Sequence, residues 1–194
     1  MSNNMALSHD RFLNCKAEGN KDISMTLSVY AGSLCLNIFK IGLDRPVRLQ
    51  FPRSGCIILK DALHAAIDGQ PGHKVEIDIK KFNRDSKRNE KVGTLVVGRD
   101  EAGMIFFGVV EQRIPSSKFI IRASGDMEIS ATITDSERSL LGARTLIEQL
   151  TTDIPMAMML TSFKNQQPSQ SYKNAYKSDN NSSNLGQNQS SPWG

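Results

Sequence analysis

Between residues 74 and 80 apolar and charged side chains alternate without a break, Val75, Ile77 and Ile79 against Glu76, Asp78 and Lys80. A period of two belongs to a strand with one buried face, whereas a helix would scatter the same residues around its circumference. Two further β-rich runs follow, KVGTLVVG at residues 91–98 and GMIFFGVVEQ at 103–112, with turn-like residues 99–103 between them. The centre of the chain is therefore expected to be an antiparallel sheet.

Between the first two of these strands lies KKFNRDSKRNEK, residues 80–91, read here as a loop. Lys80, Lys81, Arg84, Lys87, Arg88 and Lys91 oppose only Asp85 and Glu90, a net +4 in twelve residues. A cationic loop at the end of a sheet suits a protein that holds a polyanion; a solvated hairpin tip is the plainer reading.

Upstream, ISMTLSVY and SLCLNIFKI flank Ala31 and Gly32 and read as a hairpin. On its second strand Leu34, Leu36 and Ile38 share one side, and Cys35, Asn37, Phe39 and Ile41 the other. Both sides are largely apolar, the pattern of a strand covered on two faces. Residues 46–52 form a third strand with Val47, Leu49 and Phe51 inward and Arg48 and Gln50 outward. Residues 56–58 are expected as a short fourth strand, and LKDALHAAIDG as a helix stopped by Gly69, Pro71 and Gly72.

Downstream, SKFIIRA at 117–123 and MEISATI at 127–133 are expected to form a second hairpin or one long bent strand. Thr134 opens T-D-S-E, the spacing of a capping box at a helix start. Leu140, Ala143, Ile147 and Leu150 line one face of that helix, which Pro155 ends or kinks. The methionine-rich residues 154–160 fit core or subunit contact.

Residues 1–22 read as a flexible arm, 23–160 as a single α+β domain, and 161–194 as a disordered Asn/Gln/Ser-rich tail. Half of the chain's net charge of +4 lies in the tail, whose Tyr172, Tyr176 and Trp193 could stack on bases or dock on replication or recombination proteins; a passive solubilising tail is an equal reading. Cys15, Cys35 and Cys56 lack zinc-site spacing and are expected as reduced thiols. No apolar run reaches the ~18 residues of a membrane span, and the N-terminus lacks a signal peptide's apolar centre. A soluble, cytoplasmic protein without membrane contact is expected.

The order of elements, three or four strands, a helix, four or five strands and a longer helix, amounts to two ββββα units. With KVEIDIKKFNRDSKRNEK ahead of two glycine-containing strands, it resembles the Whirly type of single-stranded-DNA-binding fold over roughly residues 23–160, a fold also seen in phage-encoded proteins. The resemblance implies sheets on which bases lie between aromatic and aliphatic side chains, helices that build a homo-oligomer core, and, for a phage protein, the host cytoplasm. The lysine-rich signature of the plant members is not found here, so their binding residues have no match. An oligonucleotide-binding barrel is the alternative architecture.

Three constellations bear on catalysis. Glu76, Asp78 and Lys80 share one strand face and contain the acidic-x-Lys element of Mg²⁺-dependent nucleases, though without the usual upstream Pro-Asp pair. Cys56 with His64 and His73 offers a thiol and imidazoles but no orienting group. Gly98, Gly103 and Gly108 lie within or beside β-rich runs and open no helix, so they do not form a phosphate loop. Binding is better supported than catalysis, and no cofactor is implied.

A single strand needs a cationic track for phosphates and flat side chains for bases. The candidate track is Arg45, Arg48, Arg53, Lys80, Lys81, Arg84, Lys87, Arg88, Lys91 and Arg99, with Tyr30 and Phe82 as stacking rings. Phe82 could equally anchor the core. One of Phe106 and Phe107 must be core, because neighbours on a strand face opposite ways, and Arg113, Lys118 and Arg122 read as ordinary surface. The expected function is non-enzymatic binding of single-stranded DNA, or RNA, by phosphate contacts and base stacking with little sequence preference, in replication, recombination or repair. Alternatives are the Mg²⁺-dependent nuclease and an assembly protein with an acidic partner.

Overall fold

The computed structural model describes residues 11–52, 54–123 and 133–166. Four strands, β1 (Arg11–Ala17), β2 (Asn20–Tyr30), β3 (Ser33–Lys40) and β4 (Val47–Gln50), precede helix α1 (Gly55–Asp68). Four more, β5 (Lys74–Asn83), β6 (Arg88–Arg99), β7 (Ile105–Glu111) and β8 (Ile114–Ile120), precede α2 (Asp135–Thr151) and α3 (Asp153–Gln166). Each set of strands forms an antiparallel four-stranded sheet in chain order. The architecture is α+β with two ββββα units, and among the described residues neither sheet closes into the alternative barrel.

The sheets turn their apolar faces to one shared core. Leu34, Leu36 and Ile38 of β3, Leu49 of β4, Leu95 of β6 and Phe107 of β7 are each at most 1% exposed. Gly93 lies where the sheets pack tightly, because a Cβ there would be 3.2 Å from Leu49 Cδ2. At the opposite edges the Glu18 amide donates to the Lys118 carbonyl at 2.7 Å. Lys118 also reaches Glu18 and Asp100 at 2.9 and 2.8 Å, so it joins the two sheets and is not an ordinary surface lysine.

The helices are fixed by local chemistry. Thr134 and Glu137 make the expected capping box. Buried Ser139 accepts from the Ile105 amide at 2.8 Å and donates to its carbonyl at 3.1 Å, which clasps α2 to β7. Thr152 separates α2 from α3, and Pro155 falls in the first turn of α3, where its missing N–H interrupts no helical bond. On α3, Ile154 and Ala157 are buried, whereas Met156, Met159 and Leu160 are exposed.

Several expectations need correction. Residues 11–17 and 20–22 of the expected arm are strand, joined by a turn at Glu18 and Gly19, because Leu13, Cys15 and Ala17 alternate into the core against β2. Residues 56–58 begin α1, whose 3.6-residue period buries Cys56, Leu59 and Leu63. The helix α3 runs through the start of the expected tail to Gln166. Residues 117–120 belong to β8, paired with β7. Residues 127–132 of the expected second hairpin, and the tail beyond 166, lie outside the described residues.

Candidate nucleic-acid groove

The stretch expected as a cationic loop is mostly strand. Lys80, Lys81, Phe82 and Asn83 continue β5, and Arg88, Asn89, Glu90 and Lys91 begin β6, so only residues 84–87 turn. A bulge between Ile79 and Lys80 leaves Val92 as the extra residue of β6. β7 pairs with β6 only from Thr94 onward. Beyond the bulge β5 and β6 therefore form a two-stranded ribbon outside the sheet, with nearly every side chain exposed.

Three hollows adjoin one another on this side of the molecule and share lining residues. The first, about 230 Å³, lies on the outer face of sheet one among Thr26, Tyr30, Asn37, Phe39 and Arg48. The second, about 630 Å³, is the cleft between the free edges of β4 and β5, lined by Phe51, Pro52, Ile58 and Phe82 among others. The third, about 540 Å³, runs along the ribbon past Arg84 and Glu90. Arg48 lines the first and second, and Lys81, Phe82 and Val92 line the second and third.

The strand alternation that buries Val47 and Leu49 turns Arg48 outward. Its guanidinium lies 4.4 Å from the centre of the Tyr30 ring and its Nε donates to Asn37 Oδ1 at 2.9 Å. Tyr30 is 46% and Phe82 56% exposed, so Phe82 is not a core anchor. Lys80 and Lys81 line the cleft; Arg84, Lys87 and Arg88 are exposed on the ribbon. Lys91 is exposed but ion-paired with Asp78 at 2.6 Å. That hydrogen bond, with smaller contributions from Thr94 and Lys80, holds the Asp78 carboxyl below its ordinary range. Ser86 and Asn83 likewise lower Glu90 by donating to it.

Not every candidate joins the groove. Arg99 serves the fold: its Nη1 donates to the Ile67 and Gly69 carbonyls at 3.4 and 3.2 Å, at the C-terminal end of α1. Arg45 is exposed beside Pro46, which lines the first hollow, and Arg53 lies outside the described residues. Phe107 is the core ring, and Phe106 lies over Gly98.

Sequence reasoning missed Phe39 as a ring lining the first hollow, and Pro52, Ile58 and Val92 as cleft walls. Phe39 is 40% exposed. Its place opposite Leu36 and Ile38 was readable from the alternation, but its exposure depended on what covers that face.

The catalytic constellations are placed less favourably. Glu76, Asp78 and Lys80 do share the outer face of β5, with Asp78 held by Lys91. Among the described residues no three His, Cys, Asp or Glu side chains converge as metal ligands. The Cys56 thiol points at Met158 Sδ, 3.5 Å away, and His64 is exposed. Burial raises all three thiols, Cys15 to about 11 against a smaller opposing pull from Arg122, which leaves them protonated and poorly nucleophilic. No helix among the described residues is long and apolar enough to cross a membrane. Comparison with family models, curated proteins and solved structures finds no match to the chain.

Proposed function

We propose that the chain is a non-enzymatic single-stranded-DNA-binding protein acting in replication, recombination or repair, with RNA as the alternative strand. The observation that carries this reading is a row of adjoining hollows that share Arg48, Lys81, Phe82 and Val92 as lining residues. It runs from the Tyr30 and Arg48 platform, through the cleft between two sheet edges, to Phe82 on the ribbon. Exposed rings alternate along it with cationic groups, the pairing that a flexible polyanion with planar bases requires. Lys80, Lys81, Arg84, Lys87 and Arg88 supply the phosphate track, and Tyr30 and Phe82 supply stacking surfaces. The reading extends the Whirly-type resemblance and takes no residue from it. Self-association through the exposed Met156, Met159 and Leu160 face of α3 belongs to the same proposal.

A salt titration of binding to a single-stranded oligonucleotide tests it. Affinity should fall steeply with salt, and changing Lys80, Lys81, Arg84 and Lys87 to Gln should reduce the logarithmic salt slope by about 0.7 per lost contact. Preference for duplex over single strands, or binding of neither, overturns the reading.

A further inference from the structure

The hollow on the outer face of sheet one has a floor that is polar and yet buried. Thr26, Ser28 and Asn37 point away from the shared core but are only 5%, 4% and 6% exposed. Register explains the enclosure. Tyr30 pairs with Ser33 and Ser24 with Phe39, so the Thr26 and Asn37 pair lies between a ring at each end. Arg48, paired with Asn37 on the other side, closes the wall.

Asn37 is held from both flanks. Its Nδ2 donates to Ser28 Oγ at 2.8 Å, and its Oδ1 accepts from Arg48 Nε at 2.9 Å. Arginine can only donate, so this contact fixes which end of the amide is oxygen. An amide has two N–H groups and two oxygen lone pairs. The two sideways bonds use one of each, and leave one donor beside one acceptor on a side chain that lines the hollow. The side chain is thus oriented before any ligand arrives, which lowers the ordering cost of binding.

A donor beside an acceptor, next to an exposed ring, matches one kind of ligand closely. We propose that the hollow seats one unpaired nucleobase, stacked on Phe39 and bonded along its donor–acceptor edge by the Asn37 amide. This rests on the groove being a nucleic-acid track, which the hollow joins through Arg48. Its volume of about 230 Å³ suits one ring system and no larger stack. Phosphate contacts position a strand without reading it, whereas base-edge contacts distinguish bases. The hollow therefore gives a base preference to a protein whose ribbon has none.

The test compares binding of the full chain, at one salt concentration, to oligo-dA, oligo-dC, oligo-dT and an abasic strand of equal length. The wild type should separate its best base from its worst by about tenfold or more. Asn37→Asp keeps the shape and the Arg48 contact but replaces both N–H groups by an acceptor, with the Ser28 hydroxyl turning to donate in their place, and it should shrink or reorder that ranking. Phe39→Ala, at an exposed position, should weaken binding of the base-bearing strands and leave the abasic strand unchanged. Equal wild-type affinity for all three bases, or a ranking unmoved by both variants, overturns the base seat while the groove stands. Failure of the wild type to bind any strand overturns the groove itself.

Discussion

The two sheets share one topology, but the second hairpin of the first sheet and the first hairpin of the second end differently. The β2–β3 hairpin turns in two residues, Ala31 and Gly32, both left-handed at φ 50° and 75°, as a type I′ turn requires. Its tip is tied to α3, where the Gly32 amide donates to Thr161 Oγ1 at 3.0 Å. A side chain at Gly32 would collide with Ser162. The β5–β6 hairpin instead runs past its sheet as an exposed ribbon, with the left-handed Lys87 at its turn. An isolated two-stranded ribbon is marginal in water, so its sequence is free of core demands and available to a ligand. One tip is packed against a helix; the other stands exposed.

Substitutions can break that contrast, beginning with the covered tip. Gly32→Val should destabilise the protein by about 2 to 4 kcal/mol, from left-handed strain on a β-branched residue and overlap with Ser162. Denaturant unfolding measures it, and a loss below about 1 kcal/mol would mean that the α3 contact yields. At the free tip the expectation is reversed. Phe82→Ala should cost about 1 to 3 kcal/mol of single-strand affinity while the unfolding midpoint stays unchanged, which titration and melting on one preparation resolve. Should stability fall with affinity, the ring is structural after all.

Arg99 sharpens the same division with a smaller effect. Arg99→Gln should remove about 1 to 2 kcal/mol of stability, through the Ile67 and Gly69 carbonyls, and leave the affinity and salt slope for oligonucleotides as they were. A reduced salt slope would return Arg99 to the phosphate track.

Sequence alone determined the elements whose periodicity had one plausible partner. The alternation at 74–80, the Ala31–Gly32 turn and the T-D-S-E cap follow from local chemistry, whereas the sequence reaches the ββββα order of the first unit with its first strand missed and the start of α1 counted in its place. It failed where two readings share a pattern: a short apolar run such as Cys56, Ile57 and Ile58 suits strand or helix equally, and the polar setting of Leu13, Cys15 and Ala17 hid a strand until β2 lay beside it. The chemistry of a site divides the same way. Residue type made Arg48, Lys80 and Phe82 candidates. Only tertiary structure drew Arg99 away to a helix end, exposed Phe39, and joined two sheet edges across a cleft. The reason is physical: alternation sets the face on which a side chain lies, but whether that face meets core, solvent or a groove depends on chain far away in sequence.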